Sequence, residues 1–406
     1  MSSDSEIKLD AGNAGNGDVP VGDTIEKKET AEKKILATVE VIQDACNHPN
    51  ADKLVMVTVL GYNVIVDPVS FGFTMQDFSG LKGITGVMFY PDGVVPDNLK
   101  DLSCFSYLHD SHMGKRIRTI KLRGQYSEGL FLPLSTVRSF CPTLSDDVKT
   151  GDDVTELTGV KKYYSLDDTD FSYSRLTKEK SAKDPAMAFP AMIPKTDQPH
   201  LQKNIGMLRP GREMVATLKI DGQSGTFFYD PVKDEVGMCS RNLRIVPGHD
   251  CQPQFVFIEK TLNILEKLRQ LKRPLAIQGE IYGMGINNNR AKLPGYRFAV
   301  FDVYTWDPEP IGDGLYKGNY LSHREVVQLC KDLDLPMVPV IMEPTTEFPL
   351  DVKHWLDVAE KLNFDAITSV KGLLAEGLVL KTTDGRAPYV SCKVISRAYS
   401  VKHGLN

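Results

Sequence analysis

The segment Ala216-Thr217-Leu218-Lys219-Ile220-Asp221-Gly222 carries the residue types best suited to chemistry on phosphorus. Lys219 ends an apolar, strand-like run. Asp221 and Gly222 then read as a turn where backbone can approach a phosphate closely. A lysine amine placed there is a nucleophile once it is neutral. Its reference pKa near 10.4 lies roughly 3 units above neutrality, equivalent to about 4–5 kcal/mol against the free amine. Partial desolvation, neighbouring cations or a bound metal supply such a shift. Taken alone, the four residues K-x-D-G equally describe a solvated lysine in a turn, so the downstream context has to decide.

That context is a series of apolar strands, each interrupted by charged or aromatic groups. Ser240-Arg241-Asn242 comes first, then Gly279-Glu280-Ile281-Tyr282-Gly283 and Tyr296-Arg297-Phe298-Ala299-Val300-Phe301-Asp302. Glu376-Gly377-Leu378-Val379-Leu380-Lys381 and Ser391-Cys392-Lys393-Val394-Ile395 follow. Buried charge is costly unless it is paired or bound to ligand. Several such strands in one domain point to the walls of a nucleotide pocket.

The elements that position these residues fall into four segments. Residues 1–32 are polar, acidic and glycine-rich, and cannot bury enough surface to order themselves, so a disordered tail is expected. Residues 33–150 hold short β-branched runs punctuated by Gly, Asn, Asp and Pro, which predicts an all-β barrel. Residues 151–190 read as a polar connector. Residues 191–406 mix strands with helices and lack regular βαβ alternation, which predicts α+β. The clearest helical periodicity there is 257–271, with others at HREVVQLCKDL and VKHWLDVAEKL. The chain is therefore read as multidomain.

Bulk properties exclude several classes. A net charge of -5 argues against wholesale coating of nucleic acid, although a local basic groove remains compatible with it. The seven cysteines are scattered singly, which fits a reducing, intracellular compartment better than a disulfide framework. The eight histidines show no metal-ligand spacing, and no apolar run is long enough to span a bilayer, so no membrane partner is expected.

In order and spacing, the motifs over roughly 190–400 resemble the covalent nucleotidyltransferase superfamily of ATP-dependent DNA and RNA ligases and mRNA capping enzymes. The resemblance implies an ATP-grasp-like ligase domain in which Lys219 attacks the α-phosphorus of ATP and holds AMP. Asp221 and Gly222 belong to the same motif. It implies that Arg241 holds ribose or phosphate and that Glu280 takes the ribose hydroxyls. Glu376 would bind the catalytic metal, Mg²⁺ or Mn²⁺, and Lys381 and Lys393 would neutralise the triphosphate. Phe298 is the expected adenine stacker, since residue 300 shares its face and Phe301 faces the other way. Phe301 is the alternative. The family's last motif often reads K-x-K. Ser391 stands at its first position here, so either Lys393 acts alone or Lys381 compensates. Lys195 and Gln202 lie in a strip that resembles the one before the nucleophile in RNA ligases, where it helps hold adenine and the nucleic-acid end.

The upstream module adds a second likeness. His48-Pro49-Asn50-Ala51-Asp52-Lys53-Leu54 and the run from Gly114 to Gln125 look like the OB modules of tRNA-binding domains. An OB module before a K-x-D-G domain, with 13 residues after Lys393, resembles the nick-sealing RNA ligases of the Deinococcus and Naegleria type. That family joins a 3′-OH RNA end to a 5′-phosphate within a duplex. Lys115, Arg116, Arg118, Lys121 and Arg123 form a dense positive strip suited to phosphate contacts. Strand alternation would put Lys115, Lys121 and Arg123 on one face and Arg116 and Arg118 on the other. Two other readings are a GTP-dependent capping guanylyltransferase and a non-catalytic RNA-binding scaffold.

Overall fold

The computed structural model describes residues 34–163, 188–245, 252–311, 315–386 and 389–404. The expected tail over 1–32 and residues 164–187 of the expected connector lie outside the described residues. No described helix is long and apolar enough to cross a membrane.

The N-terminal module contains β1 (Ala37–Val41), β2 (Asp44–Asn47), β3 (Val55–Val59), β4 (Tyr62–Val66), β5 (Thr85–Phe89) and β6 (Gly93–Val95). It continues through β7 (His109–Ser111), β8 (Gly114–Arg116), β9 (Thr119–Leu122), β10 (Gln125–Glu128) and β11 (Leu130–Pro133). Helix α1 (Leu134–Phe140), the single-turn α2 (Thr155–Thr158) and β12 (Lys161–Lys162) complete it. Strand β5 is buried on both faces, which explains its unbroken apolar run. Val87 and Phe89 pack with Val39 and Ile117 on one side, while Met88 packs with Val57 and Val64 on the other. The same core takes in Val154 and Val160, past residue 150. The Thr155 hydroxyl ties that segment to β1 by accepting from the Leu36 N–H at 2.9 Å.

The described strands lie in separate ladders (β1-β5-β11, β2-β3-β4, β9-β10 and β12-β6-β8-β7) and do not close one hydrogen-bonded ring. The seams have identifiable causes. At Ile42–Gln43 the chain passes between ladders, donating first to Ile84 O and then to Thr58 O. Between β4 and β10, side chains replace the ladder. Ser127 Oγ accepts from Ile65 N–H at 3.0 Å, and the Glu128 carboxylate accepts from Asn63 N–H at 3.2 Å.

The second module holds two antiparallel sheets. One has the order β20-β13-β21-β22, built from β13 (Met214–Lys219), β20 (Val340–Thr345), β21 (Gly377–Thr382) and β22 (Ser391–Ile395). The other has the order β16-β15-β14-β17-β18-β19. Its strands are β14 (Gln223–Asp230), β15 (Glu235–Cys239), β16 (Arg244–Ile245), β17 (Leu275–Gly283), β18 (Tyr296–Trp306) and β19 (Gly318–Tyr320). The helix expected over 257–271 is two helices, α3 (Pro253–Leu262) and α4 (Ile264–Gln270). Asn263 breaks it by adopting the left-handed conformation, φ 50°, which asparagine tolerates well. The Glu259 carboxylate then accepts from Leu265 N–H at the start of α4. Helix α5 (His323–Asp332) begins at a capping box formed by Ser322 and Glu325. Helix α6 (Val352–Ala359) covers the first sheet through Trp355 and Leu356, and α7 (Arg397–His403) follows β22.

Candidate active site

Lys219 is the last residue of β13 and Glu376 immediately precedes β21, its hydrogen-bonded neighbour. The register sets Lys219 opposite Gly377, so the amine and the Glu376 carboxylate meet at 2.8 Å. They line a cleft of about 230 Å³ walled by both sheets, with Glu280 of β17, Phe301 of β18, Lys381 and Lys393 around them. Burial favours the neutral amine of Lys219. Glu376, Glu280 and Asp221 together outweigh it and hold the pKa above the ordinary lysine value. Burial pushes the Glu280 carboxyl up to about 8, with Lys219 pulling the other way. Burial likewise raises Glu376 against the same lysine. The cleft thus sets the Lys219 amine, its charged form favoured, against carboxylates that burial makes harder to ionise.

Asp221 has a different environment from the one its motif suggested. Its carboxylate pairs with the Arg290 guanidinium, and it accepts from Asn287 Nδ2 and from the Tyr399 hydroxyl, each at 2.7 Å. Asp221 therefore ties the turn after the nucleophile to the 287–290 loop and to α7. Gly222 has a steric reason to be glycine: a Cβ there would lie 2.3 Å from Ile281 O and 2.9 Å from Glu280 Cγ. Its role in the fold is close approach to β17, whereas the sequence suggested close approach to phosphate. Arg290, Asn287 and Tyr399 were missed from sequence. The triple asparagine at 287–289, with all three φ between 45° and 57°, was a legible sign of a tight left-handed loop. Nothing in the pattern around Tyr399 marks it.

The aromatic wall corrects the sequence reading. Phe298 is 2% exposed and belongs to the core under β17, edge-on to Phe227 at 5.2 Å between ring centroids. Phe301 lines the cleft instead. In the β17–β18 ladder, Gln278 opposes Asp302 and Gly279 opposes Val300, so Phe301 is the extra residue of a bulge. Such bulges re-aim side chains beside active sites. Phe298 and Phe301 do lie on opposite faces, as strand alternation implies, but the pocket is on the Phe301 face.

Lys381 is buried at the cleft wall, paired with Asp302 at 2.8 Å and donating to Phe301 O. The Tyr389 hydroxyl also donates to Asp302, at 2.9 Å. Lys381 faces Ser391 across the ladder, so the two lie on one side of the sheet. Lys393 borders the cleft, and its backbone N–H donates to Pro199 O, which joins β22 to the 194–200 strip. Arg241 pairs with Asp197 of that strip at the cleft wall. Lys195 lines an adjoining side cavity. Gln202 lies outside the cleft. It is 3% exposed and its amide donates to Glu128 of the N-terminal module at 3.4 Å, so the structure places it at the junction of the two modules.

The basic strip is divided. Lys115 and Arg116 lie on β8, whereas Lys121 lies on β9 in a different ladder, so one alternation does not run through all five residues. Lys115 pairs with Asp110 at 2.9 Å. Arg116 stacks on Tyr163, 3.5 Å from the ring centroid, and lies 3.8 Å from Asp92. Arg118, between the two strands, is partly buried. Lys121 and Arg123 are exposed, and β9 lies against α7.

Comparison with known proteins fits this arrangement. Residues 212–396 match the RNA ligase family, and residues 36–134 match an OB-fold domain. No curated protein matches the chain. Among solved structures, the Naegleria gruberi RNA ligase with PPi is 29% identical, with a TM-score of 0.72 over 91% of this chain and 99% of that one. A lysine-to-methionine mutant of that ligase with AMP and Mn is 28% identical, with a TM-score of 0.72 over 92% and 100%. A lysine-to-alanine mutant with ATP and Mn is 28% identical, with a TM-score of 0.69 over 90% and 98%. Residues 212–396 thus form an RNA ligase family domain with nucleotidyltransferase architecture, and an OB-fold domain over residues 36–134 stands ahead of it.

Proposed function

We propose that this RNA ligase takes AMP from ATP onto Lys219 and uses it to seal a 3′-OH to a 5′-phosphate at nicks in duplexes. The observation that carries the reading is the Lys219 amine, 2.8 Å from Glu376 in a cleft that also holds Lys381 and Lys393. In the first step the neutral amine attacks the α-phosphorus, a P–N bond forms, and pyrophosphate leaves as the bridging P–O bond breaks. Next, an oxygen of the RNA 5′-phosphate displaces the amine, so AMP is joined to the end through a new P–O–P link. The 3′-OH then attacks the 5′-phosphorus and AMP leaves. Lys393 and Lys381 neutralise charge on the phosphates, and the recessed Glu280 receives the ribose hydroxyls.

Among the described residues, no group of three or more His, Cys, Asp or Glu is gathered to hold a metal. The Glu376 carboxylate at the cleft fits Mg²⁺ or Mn²⁺, hard ions that one or two carboxylates hold together with phosphate oxygens and water. When bound, the ion would supply Lewis acidity, and Glu376, in holding it, would pair less tightly with the Lys219 amine. Lys121 and Arg123 are the exposed members of the basic strip and the best placed to meet the RNA backbone. The test is sealing of a nicked duplex panel, with RNA or DNA placed separately on the 3′-OH side, the 5′-phosphate side and the template. Sealing that requires RNA on the 3′-OH side supports the reading. Equal sealing of all-DNA nicks, or sealing of single strands alone, overturns the nick-sealing assignment.

A further inference from the structure

Beside the nucleotide cleft lies a second cavity of about 190 Å³. Phe301 borders both cavities, and Gln278, Asp302, Tyr320, Tyr389 and Ser391 line the second. Gln278 is 1% exposed. Its Nε2 donates to the Pro194 carbonyl at 2.8 Å, which fixes the amide, because a carbonyl can only accept. Its Oε1 is therefore an acceptor, and it is buried with no hydrogen-bond partner. Leaving a buried acceptor unmet is costly, and such a group in a folded protein calls for an explanation.

Resting on the ATP reading above, we propose that Gln278 is the base-specificity residue, its Oε1 accepting from the 6-amino group of adenine stacked on Phe301. Gln278 and Glu280 are two residues apart on β17 and share a face, about 7 Å from each other along the strand. A nucleotide whose ribose hydroxyls lie at Glu280 extends its base past Phe301 toward Gln278. Adenine presents a donor at its 6-position and meets the waiting acceptor. Guanine presents an oxygen there, and two acceptors face each other. Tyr320 and Tyr389, stacked at 4.3 Å between centroids, flank the same cavity and limit the entry of competing water.

The test is direct binding of ATP, GTP and purine riboside triphosphate, which lacks the 6-amino group, to the full chain by calorimetry, alongside covalent labelling. The wild type is expected to bind ATP about ten- to a hundredfold more tightly than the deaminated analogue, with GTP weaker than ATP. Gln278→Met, similar in length but without the amide, is expected to bind ATP and the analogue alike, raising KM for ATP and leaving kcat at saturation near the wild-type value. A wild type that labels with ATP yet binds ATP and the analogue equally overturns base reading by Gln278 and leaves the ligase reading standing. A folded Gln278→Met that keeps the full preference for ATP does the same. A wild type that binds no nucleotide overturns both.

Discussion

Exchanging Phe298 and Phe301 separately for alanine tests the assignment of the cleft wall, because the two residues sit on opposite faces of β18. Phe298 is 2% exposed, packs in the core with Phe227 and Phe255, and stacks edge-on with the former at 5.2 Å. Truncating a phenylalanine in such a site costs about 3–5 kcal/mol. At roughly 2–4 °C of melting temperature per kcal/mol for a domain of this size, Phe298→Ala should melt some 6–20 °C lower. Phe301 is half-buried and lines the cleft, so its loss leaves far less of the core unfilled. Its cost falls on the nucleotide: removing an aromatic platform under a base is worth about 1–3 kcal/mol, a weakening of roughly 5- to 150-fold. Thermal unfolding and the ATP dependence of labelling, measured on both variants, separate the two roles. The reasoning is refuted if Phe301→Ala melts far below the wild type with an unchanged KM, or if Phe298→Ala keeps its stability and loses ATP.

Three further outcomes are expected. Asp302→Asn removes the carboxylate from a lysine side chain that is 6% exposed, and urea unfolding should show a loss of about 3–5 kcal/mol, part of which the double variant with Lys381→Met recovers. Burial pushes Glu128 up to about 7, above the ordinary 4.5, so the folded state binds its proton more tightly than the unfolded chain. The stability this contributes is fully present below about pH 4.5 and is lost as pH rises through about 7. Unfolding of Glu128→Gln should therefore vary less with pH across that window. Lys121→Ala and Arg123→Ala should each lower the slope of log affinity for duplex RNA against log salt by about 0.7–0.9, measured by fluorescence anisotropy, whereas Arg116→Ala, stacked on Tyr163, should leave that slope unchanged.

Much of the fold was legible because its signals are local. The runs at Ala216–Lys219, Gly279–Gly283, Tyr296–Asp302, Gly377–Lys381 and Ser391–Ile395 lie in β13, β17, β18, β21 and β22. A strand announces itself by composition, and covalent order fixes which charged residue it carries. What sequence could not supply was the face. Alternation told Phe298 from Phe301, yet only the packed helices α3 to α5 show which side of the sheet is core, and only the bulge shows how Phe301 is turned. The helix at 257–271 kept its periodicity across Asn263 because the break costs one residue and shifts the apolar stripe little. The charged strip 115–123 looked continuous, since nothing local reveals that β8 and β9 pair with different partners. The partners of Asp221 are separated from it by 66 to 178 residues, beyond the reach of any spacing argument.

The proposed ligase chemistry depends on one covalent bond, and intact-mass analysis of the full chain after incubation with ATP and Mg²⁺ tests it most directly. A single added AMP is expected, mapped by peptide sequencing to Lys219 and absent from Lys219→Ala. An adduct that persists in folded Lys219→Ala, or that maps to Lys381 or Lys393, contradicts the account.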